Sequence, residues 1–203
     1  MKIPLRDSFK ALAPYALSTS VVLLLLGLLL VFRPELHTLF TNNTLENFDA
    51  MVVSDGFHRI SLADGRSWEL DYEKDPGQSF SGTVRHNSPI LSGKFAILSH
   101  DVLITRGDFQ DPDLVSTRVS NHHFSWKSRT GSQPNGSINL LHTLPMNQDV
   151  YQQLQQIKNG DKVTVKGYEI YRIDGWDSAG RYIGFWKDSG CNTILVTDVI
   201  FEK

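Results

Sequence analysis

The sequence predicts a mainly β chain of the β-rich α+β class, with an N-terminal transmembrane helix and an exported small-barrel domain that carries one amphipathic helix. Three observations support this prediction. A long uncharged stretch lies near the N-terminus, short alternating segments separated by glycine- and aspartate-containing turns follow it, and one later segment repeats its apolar residues with helical spacing. We expect a cytoplasmic N-terminus at 1–10, a membrane span at 11–32, a stalk at 33–50 and the exported domain at 51–203.

The first predicted element is the membrane span. No charged residue occurs from Ala11 to Phe32, and at about 1.5 Å per residue this stretch reaches about 33 Å, enough to cross a hydrocarbon core of about 30 Å. The run is longer than the apolar core of a signal peptide, and Arg33-Pro34-Glu35 follows it in place of small residues. Both features favour an uncleaved signal anchor over a cleaved signal peptide.

Charged residues that flank the span predict its orientation. Lys2, Arg6 and Lys10 precede it, whereas Arg33 alone follows closely. Because positive flanks stay in the cytoplasm, we expect the N-terminus inside, the span in the cell inner (cytoplasmic) membrane, and the bulk of the chain periplasmic or extracellular. The single cysteine, Cys191, excludes a framework of intramolecular disulfides and favours a bacterial envelope protein.

Composition limits the classes of partner. The chain has 203 residues with 20 Lys and Arg against 22 Asp and Glu, and 40% of its residues are hydrophobic. These values exclude a disordered chain and one built around a strongly basic surface. Three basic residues, Lys2, Arg6 and Lys10, precede the span and are not exported. The exported part therefore has more acidic than basic residues and is net negative. We therefore predict that nucleic acid is not a partner.

The first half of the domain carries strand signals. Trp68 to Tyr72 alternates strictly, Phe57 to Leu62 alternates in part, and Ala63-Asp64-Gly65-Arg66 between them predicts a hairpin turn. Further strand-length apolar segments occur at 80–84, 95–98 and 102–104, and the composition of residues 127–137 indicates a long loop.

The clearest helix signal covers Gln148 to Lys158. Asn147 precedes it as an N-cap, and Gly160 stands where a left-handed residue ends many helices. The apolar residues of one face fall four and three positions apart: Val150, Leu154 and Ile157. We expect this narrow stripe to pack on a sheet.

Strand signals resume after the helix at 162–166, 168–173, 182–186 and 194–201, with turns at 174–175 and 188–190. This order of helix, glycine-bounded strand, hairpin and final strand resembles the second half of an OB-like barrel, over Asn147 to Lys203. The segment from Gly175 to Cys191 is similar to uncharacterised bacterial single-pass envelope proteins. That similarity implies a location in the cell envelope and no known activity.

Cys191 raises the hypothesis of a cysteine enzyme. A thiol nucleophile needs a base close by, and the candidate bases are His122, His123, His142 and His100. A signal anchor, a β barrel and a late cysteine resemble the sortases. However, Lys187-Asp188-Ser189-Gly190-Cys191 stands in place of the sortase signature Thr-Leu-x-Thr-Cys, and no arginine follows Cys191.

A metal site is a second hypothesis, with His122 and His123 as ligands and Asp111, Asp113 or His142 beside them. Adjacent residues of a strand point to opposite faces, so the two neighbouring histidines do not serve one ion unless they lie in a loop. No His-Glu-x-x-His or Cys-x-x-Cys spacing occurs in the sequence. We therefore predict no metal site and no cofactor.

Aromatic and arginine side chains crowd between residues 168 and 187, which is typical of a protein-binding surface. The candidate partner-binding residues are Tyr171, Trp176, Arg181, Tyr182 and Trp186. We predict a membrane-anchored protein with one span that serves as a non-catalytic, protein-interaction component of a bacterial envelope assembly. Two alternatives stay open: a sortase-like or other envelope cysteine enzyme using Cys191 with a histidine base, and a domain that binds a cell-wall or lipid ligand.

Overall fold

A computed structural model describes residues 45–75, 77–188 and 190–202. Most of these residues lie in β-strands, which confirms the mainly β prediction. The strands are β1 (Val52–Ser54), β2 (Arg59–Ser61), β3 (Ser67–Tyr72), β4 (Gln78–Pro89), β5 (His100–Gly107), β6 (Val115–Ser120), β7 (His123–Ser128), β8 (Gly136–Pro145), β9 (Lys162–Trp176), β10 (Tyr182–Trp186) and β11 (Asn192–Phe201), with helix α1 at Gln148–Gln156 and short 3-10 turns at Phe48–Ala50 and Asp108–Gln110.

The predicted membrane span at 11–32 and its flanks up to residue 44 lie outside the described residues. Within the described part of the chain, no helix has the length and apolar character needed to cross a bilayer.

Five strands close into a barrel. β4 pairs with β5 along one edge and with β9 along the other, and the path between them runs through β8 and β11. β8 and β11 are parallel, while the other barrel pairs are antiparallel. This strand order, with α1 between β8 and β9, is that of an OB-like barrel. The sequence resemblance began at Asn147, but three of the barrel strands precede α1.

Strand β9 runs through the barrel without a break at Gly167, which lies between the two strand signals of the sequence. Here β9 passes very close to β11. A Cβ atom at Gly167 would lie 2.2 Å from the carbonyl oxygen of Leu195, so only glycine allows this approach. The glycine is thus a close-contact point within one long strand and not a strand end.

The core has two parts. Inside the barrel, all five strands contribute apolar side chains, and Val150 and Leu154 of α1 close one end. Asn147 caps α1, because its side chain accepts a hydrogen bond of 3.0 Å from the backbone N–H of Val150. The second part joins β2 and β3 to the central region of β9 and includes Ile60, Trp68 and Ile173.

The segment 95–98 is not a strand, which corrects the sequence prediction. Phe95, Ile97 and Leu98 are buried in the second part of the core, but their backbone forms turns before β5 begins at His100. A short run of apolar residues indicates that the segment is buried, but it does not by itself distinguish a strand from a buried turn.

The last residues of the range predicted as a stalk lie against the domain. Phe48 is buried and its ring lies 4.6 Å from that of Tyr151 in α1. The backbone N–H of Leu45 donates to the carbonyl of Ala96 at 3.0 Å. The packed domain therefore includes residues 45–50.

Strands β6 and β7 form a hairpin of their own between β5 and β8, which the sequence analysis did not predict. Its two-residue turn is Asn121-His122, and both residues have left-handed backbone, with φ of 51° and 62°. Two positive φ values are typical of the turn that joins tightly twisted hairpin strands, and Asn tolerates this conformation well. Since β7 extends to Ser128, the predicted loop at 127–137 shortens to 129–135.

Candidate metal centre

A buried pair of polar side chains lies on the barrel wall. Asp101 in β5 and His142 in β8 are register partners, so their side chains project from the same face of the sheet. Asp101 Oδ1 lies 2.7 Å from His142 Nδ1, and the two side chains are only 5% and 2% exposed. Ionisable groups this deeply buried need partners of opposite charge or good hydrogen bonds.

The hairpin turn supplies a third side chain. His122 Nδ1 lies 2.9 Å from Asp101 Oδ2, so each oxygen of one carboxylate faces the Nδ1 atom of a different histidine. His123 begins β7 and is exposed. The left-handed turn therefore directs one histidine of the pair toward the barrel and leaves the other at the surface.

A second carboxylate completes the group. Asp188, in the loop after β10, places Oδ1 3.3 Å from His142 Nε2. Its other oxygen accepts a hydrogen bond from the Thr193 hydroxyl, which in turn accepts one of 2.9 Å from Trp186 Nε1. Both ring nitrogens of His142 thus face carboxylates, although a neutral imidazole carries only one N–H. Two carboxylates, Asp101 and Asp188, thus meet on the ring of one histidine.

The same atoms have the composition of a metal site. One ligand atom each from Asp101, His122 and His142 lie within 4.8 Å of one another. A tetrahedral zinc ion with bonds of about 2.0–2.2 Å keeps its ligand atoms about 3.3–3.6 Å apart. A bound ion would require these atoms to converge on one point, with Asp188 as the outer partner of the His142 ring.

A cavity of about 320 Å³ adjoins the cluster. The turn residues 121–123 form one side, residues 185–188 with Cys191 form the other, and His142 contributes its buried ring. The two imidazoles therefore lie between the carboxylate of Asp101 and an open space large enough for a small molecule.

Cys191 lines this cavity, but its surroundings do not activate it. Its Sγ atom lies 3.9 Å from the backbone carbonyl of His122, which is an acceptor and not a base. Burial, and then the negative charges of Asp188 and Asp101, raise the pKa of the Cys191 thiol. A nucleophilic cysteine needs its pKa lowered, so the geometry gives no support to the pairing of Cys191 with His122 or His123.

His100 precedes Asp101 and points to the opposite face of β5, where its ring lies 5.8 Å from that of Tyr151. Burial lowers the pKa of His100 to about 4, against the opposing effect of Asp101. His100 is therefore neutral near pH 7 and lies outside the cluster.

The structure selects among the metal ligands considered from sequence. It brings His122 and His142 together, but with Asp101 as the carboxylate. Asp111 and Asp113 form a local turn, in which the Asp113 N–H donates to Asp111 Oδ1 at 2.8 Å. The signal that marks Asp101 in the sequence is an acidic residue directly before the apolar run Val102-Leu103-Ile104, where a charge requires a buried partner.

The five predicted partner-binding residues fall into three places. Trp186 belongs to the cluster, with its ring 5.3 Å from that of His142. Tyr171 and Tyr182 are exposed on β9 and β10, and Trp176 packs on Tyr182 with ring centroids 5.6 Å apart. Arg181 lies in the turn before β10, paired with Asp177 at 2.8 Å.

Comparison with known proteins identifies no family for this chain. No protein-family model and no curated protein matches the chain. Among solved structures, the chain is similar to the mitochondrial single-stranded DNA binding protein Rim1 from S. cerevisiae, at 9% identity and a TM-score of 0.27, over 66% of this chain and 98% of the other. A selenomethionine form of the same protein gives 11% identity and a TM-score of 0.28 over the same shares.

These neighbours correct one prediction. The exclusion of nucleic acid as a partner is withdrawn, because the solved structures similar to this chain are those of a single-stranded DNA binding protein. The exclusion was argued from the net charge of the domain. Net charge averages over every face, so it does not decide what a single face binds.

Proposed function

We propose that the domain binds one divalent transition-metal ion of the zinc type through Asp101, His122 and His142. The observation that carries the proposal is the meeting of one imidazole nitrogen from each of two histidines and one carboxylate oxygen within 4.8 Å. The three residues come from β5, the β6–β7 turn and β8, so only the folded domain assembles the set. This proposal replaces the sequence prediction of no metal site.

The ligand types favour zinc and similar ions over calcium or magnesium. Calcium and magnesium take oxygen ligands, whereas imidazole nitrogen suits zinc, copper, iron and nickel. A site with two histidines and one carboxylate is a common zinc-binding set that leaves a fourth position free. The ion would also neutralise the buried charge of Asp101.

Asp188 supports the proposal as an outer partner. A metal on Nδ1 of His142 leaves the proton on Nε2, where Asp188 Oδ1 lies 3.3 Å away. The hydroxyl of Thr193 donates a hydrogen bond to Asp188, and the indole of Trp186 donates one to Thr193. Metal-bound histidines commonly donate their second N–H to a carboxylate, which fixes the ring orientation.

Calorimetric titration of the purified full chain with zinc chloride tests this function. We expect one ion per chain. His122→Ala should lower the zinc affinity by at least about 100-fold, because it removes a ligand of the ion. Loss of an outer partner alone already costs about 10–100-fold. His123→Ala is the matched control and should bind as the wild type does. Absence of binding to the wild type, or equal losses in the two variants, would exclude the site.

We propose as a second function that the outer face of β9 and β10 binds a protein partner. The observation that favours it is a strip of exposed aromatic side chains, in which Tyr182 and Phe185 are 52% and 54% exposed. The guanidinium of Arg172 lies 4.3 Å from the centre of the Phe185 ring. Aromatic and arginine side chains are the commonest energetic anchors of protein interfaces.

This second proposal keeps the role expected from the sequence: a non-catalytic component of a bacterial envelope assembly, held by a span at 11–32 with the domain exported. The alternative of a cell-wall or lipid ligand stays a prediction.

Affinity purification of the tagged full chain in mild detergent tests the partner surface. Stoichiometric partners of the wild type should be lost from a Tyr182→Ala, Phe185→Ala double variant, because it removes the two most exposed rings of the strip. Phe201→Ala is the control, since Phe201 is also exposed but ends β11. Partners that remain on the double variant would refute this surface.

A further inference from the structure

We propose that the metal ion holds the β6–β7 hairpin closed over the adjoining cavity, so that metal occupancy controls access to it. This inference rests on the proposed metal site. It adds that one ligand, His122, belongs to a separate element that the ion would tie to the barrel wall.

The hairpin is weakly joined to the barrel along its length. β6 and β7 pair only with each other and form a two-stranded sheet outside the barrel sheet. Of the residues described in these two strands, Val115 alone is buried, while the others are exposed or half-buried. Apolar packing therefore does not fix the outer part of the hairpin.

The base of the hairpin, in contrast, is fixed. The guanidinium of Arg85 donates to the carbonyls of Phe109 and Val115 at 2.8 and 3.1 Å. The ring of Trp126 meets that of Phe109 edge to face, with centroids 5.3 Å apart. A fixed base and a free outer part are the features of an element that swings about one end.

The far end meets the barrel through His122. In the described part of the chain, the turn residues make two polar contacts with the barrel. His122 Nδ1 contacts Asp101, and the His122 carbonyl contacts Cys191 Sγ. The side chain of His122 is 31% exposed, so water competes for its hydrogen bond. Its ring also lies 5.9 Å from that of His142 and 5.4 Å from that of Trp186. Coordination of one ion by His122, Asp101 and His142 would join three elements with stronger bonds.

Closure matters because the turn is a wall of the cavity. Residues 121–123 line a cavity of about 320 Å³ together with Trp186, Lys187 and Cys191, and the ring of His122 meets that of Trp186 with centroids 5.4 Å apart. Movement of the turn away from Asp101 would uncover the indole and the thiol. The metal-bound chain would then have a closed cavity, and the metal-free chain an open one.

Distances between two spin labels measure this movement. One label is placed at Ser125→Cys in β7 and the other at Gln152→Cys in α1, both exposed positions, in a full chain that carries Cys191→Ser. With zinc chloride we expect a single narrow distance distribution. With a chelator in place of zinc, we expect a second, longer-distance population to appear.

Zinc calorimetry on the same labelled protein separates the two proposals. If zinc binds but the distance distribution is the same with zinc and with chelator, the closure proposal is overturned and the metal site stands. If zinc does not bind, both are overturned. When His122→Ala is added to the labelled protein, the longer-distance population should persist in the presence of zinc. With His123→Ala in its place, zinc should remove that population. Should His122→Ala fail to fold, the comparison of zinc with chelator in the parent protein decides alone.

Discussion

Replacement of Asp101 by Asn is expected to lower the zinc affinity of the chain by at least about 100-fold, which exceeds the usual cost of losing an outer partner. Asp101 is the only carboxylate in the proposed ligand set, and both of its oxygens face histidine nitrogens, at 2.7 and 2.9 Å. An amide of the same shape removes the negative charge that the ion would neutralise. The change therefore tests charge and coordination with little change in volume.

The same variant should lose the stabilisation that zinc provides. An ion at about 100 times its dissociation constant raises the free energy of unfolding by about 2.7 kcal/mol. Thermal or urea unfolding with and without zinc measures this increment. Asp113→Asn is the matched control, because Asp113 is an exposed carboxylate outside the cluster. An Asp101→Asn chain that is stabilised by zinc as much as the Asp113→Asn chain would refute the ligand assignment.

Replacement of Trp68 by Ala is expected to lower the free energy of unfolding by about 3–5 kcal/mol. Trp68 in β3 has no exposed surface and belongs to the part of the core that joins β2 and β3 to β9. Its indole N–H donates to the carbonyl of Lys94 at 2.9 Å, so the change also removes this hydrogen bond.

Urea unfolding of the purified chain, followed by circular dichroism, measures this loss. Trp126→Ala is the control, since Trp126 is 39% exposed on the hairpin and packs on one ring. It should cost clearly less than Trp68→Ala. Equal losses in the two variants would show that β3 is not part of one cooperative core with the barrel.

Local patterns predicted the elements that local chemistry determines. The helix at 148–158 is present as α1 at Gln148–Gln156, because a capping Asn and an apolar stripe are sufficient signals over one short segment. The alternation of β3 and of the strands after α1 likewise predicts half-buried strands. The β6–β7 hairpin escaped prediction because its strands are mostly exposed and polar, so they carry no apolar alternation.

The site could be predicted only in part, since it depends on contacts between distant segments. His122 and His142 stood among the candidates, but their partner Asp101 is distant from both in sequence and meets them through barrel register and the hairpin turn. Strand alternation places neighbouring residues such as His122 and His123 on opposite faces, unless they lie in a loop. The left-handed turn at Asn121 and His122 is that exception. Asp188 lies at the start of the turn predicted at 188–190, but no local pattern indicates its contact with His142.

X-ray absorption at the zinc edge of the zinc-loaded full chain tests the central claim most directly, because it identifies the atoms bound to the ion. The account predicts a first shell of nitrogen and oxygen at about 2.0–2.2 Å, with the outer scattering of two imidazole rings. Asp101→Asn should lose this signal. A sulfur shell at about 2.3 Å would show that Cys191 holds the ion instead, and a spectrum without imidazole scattering would contradict the assignment of His122 and His142.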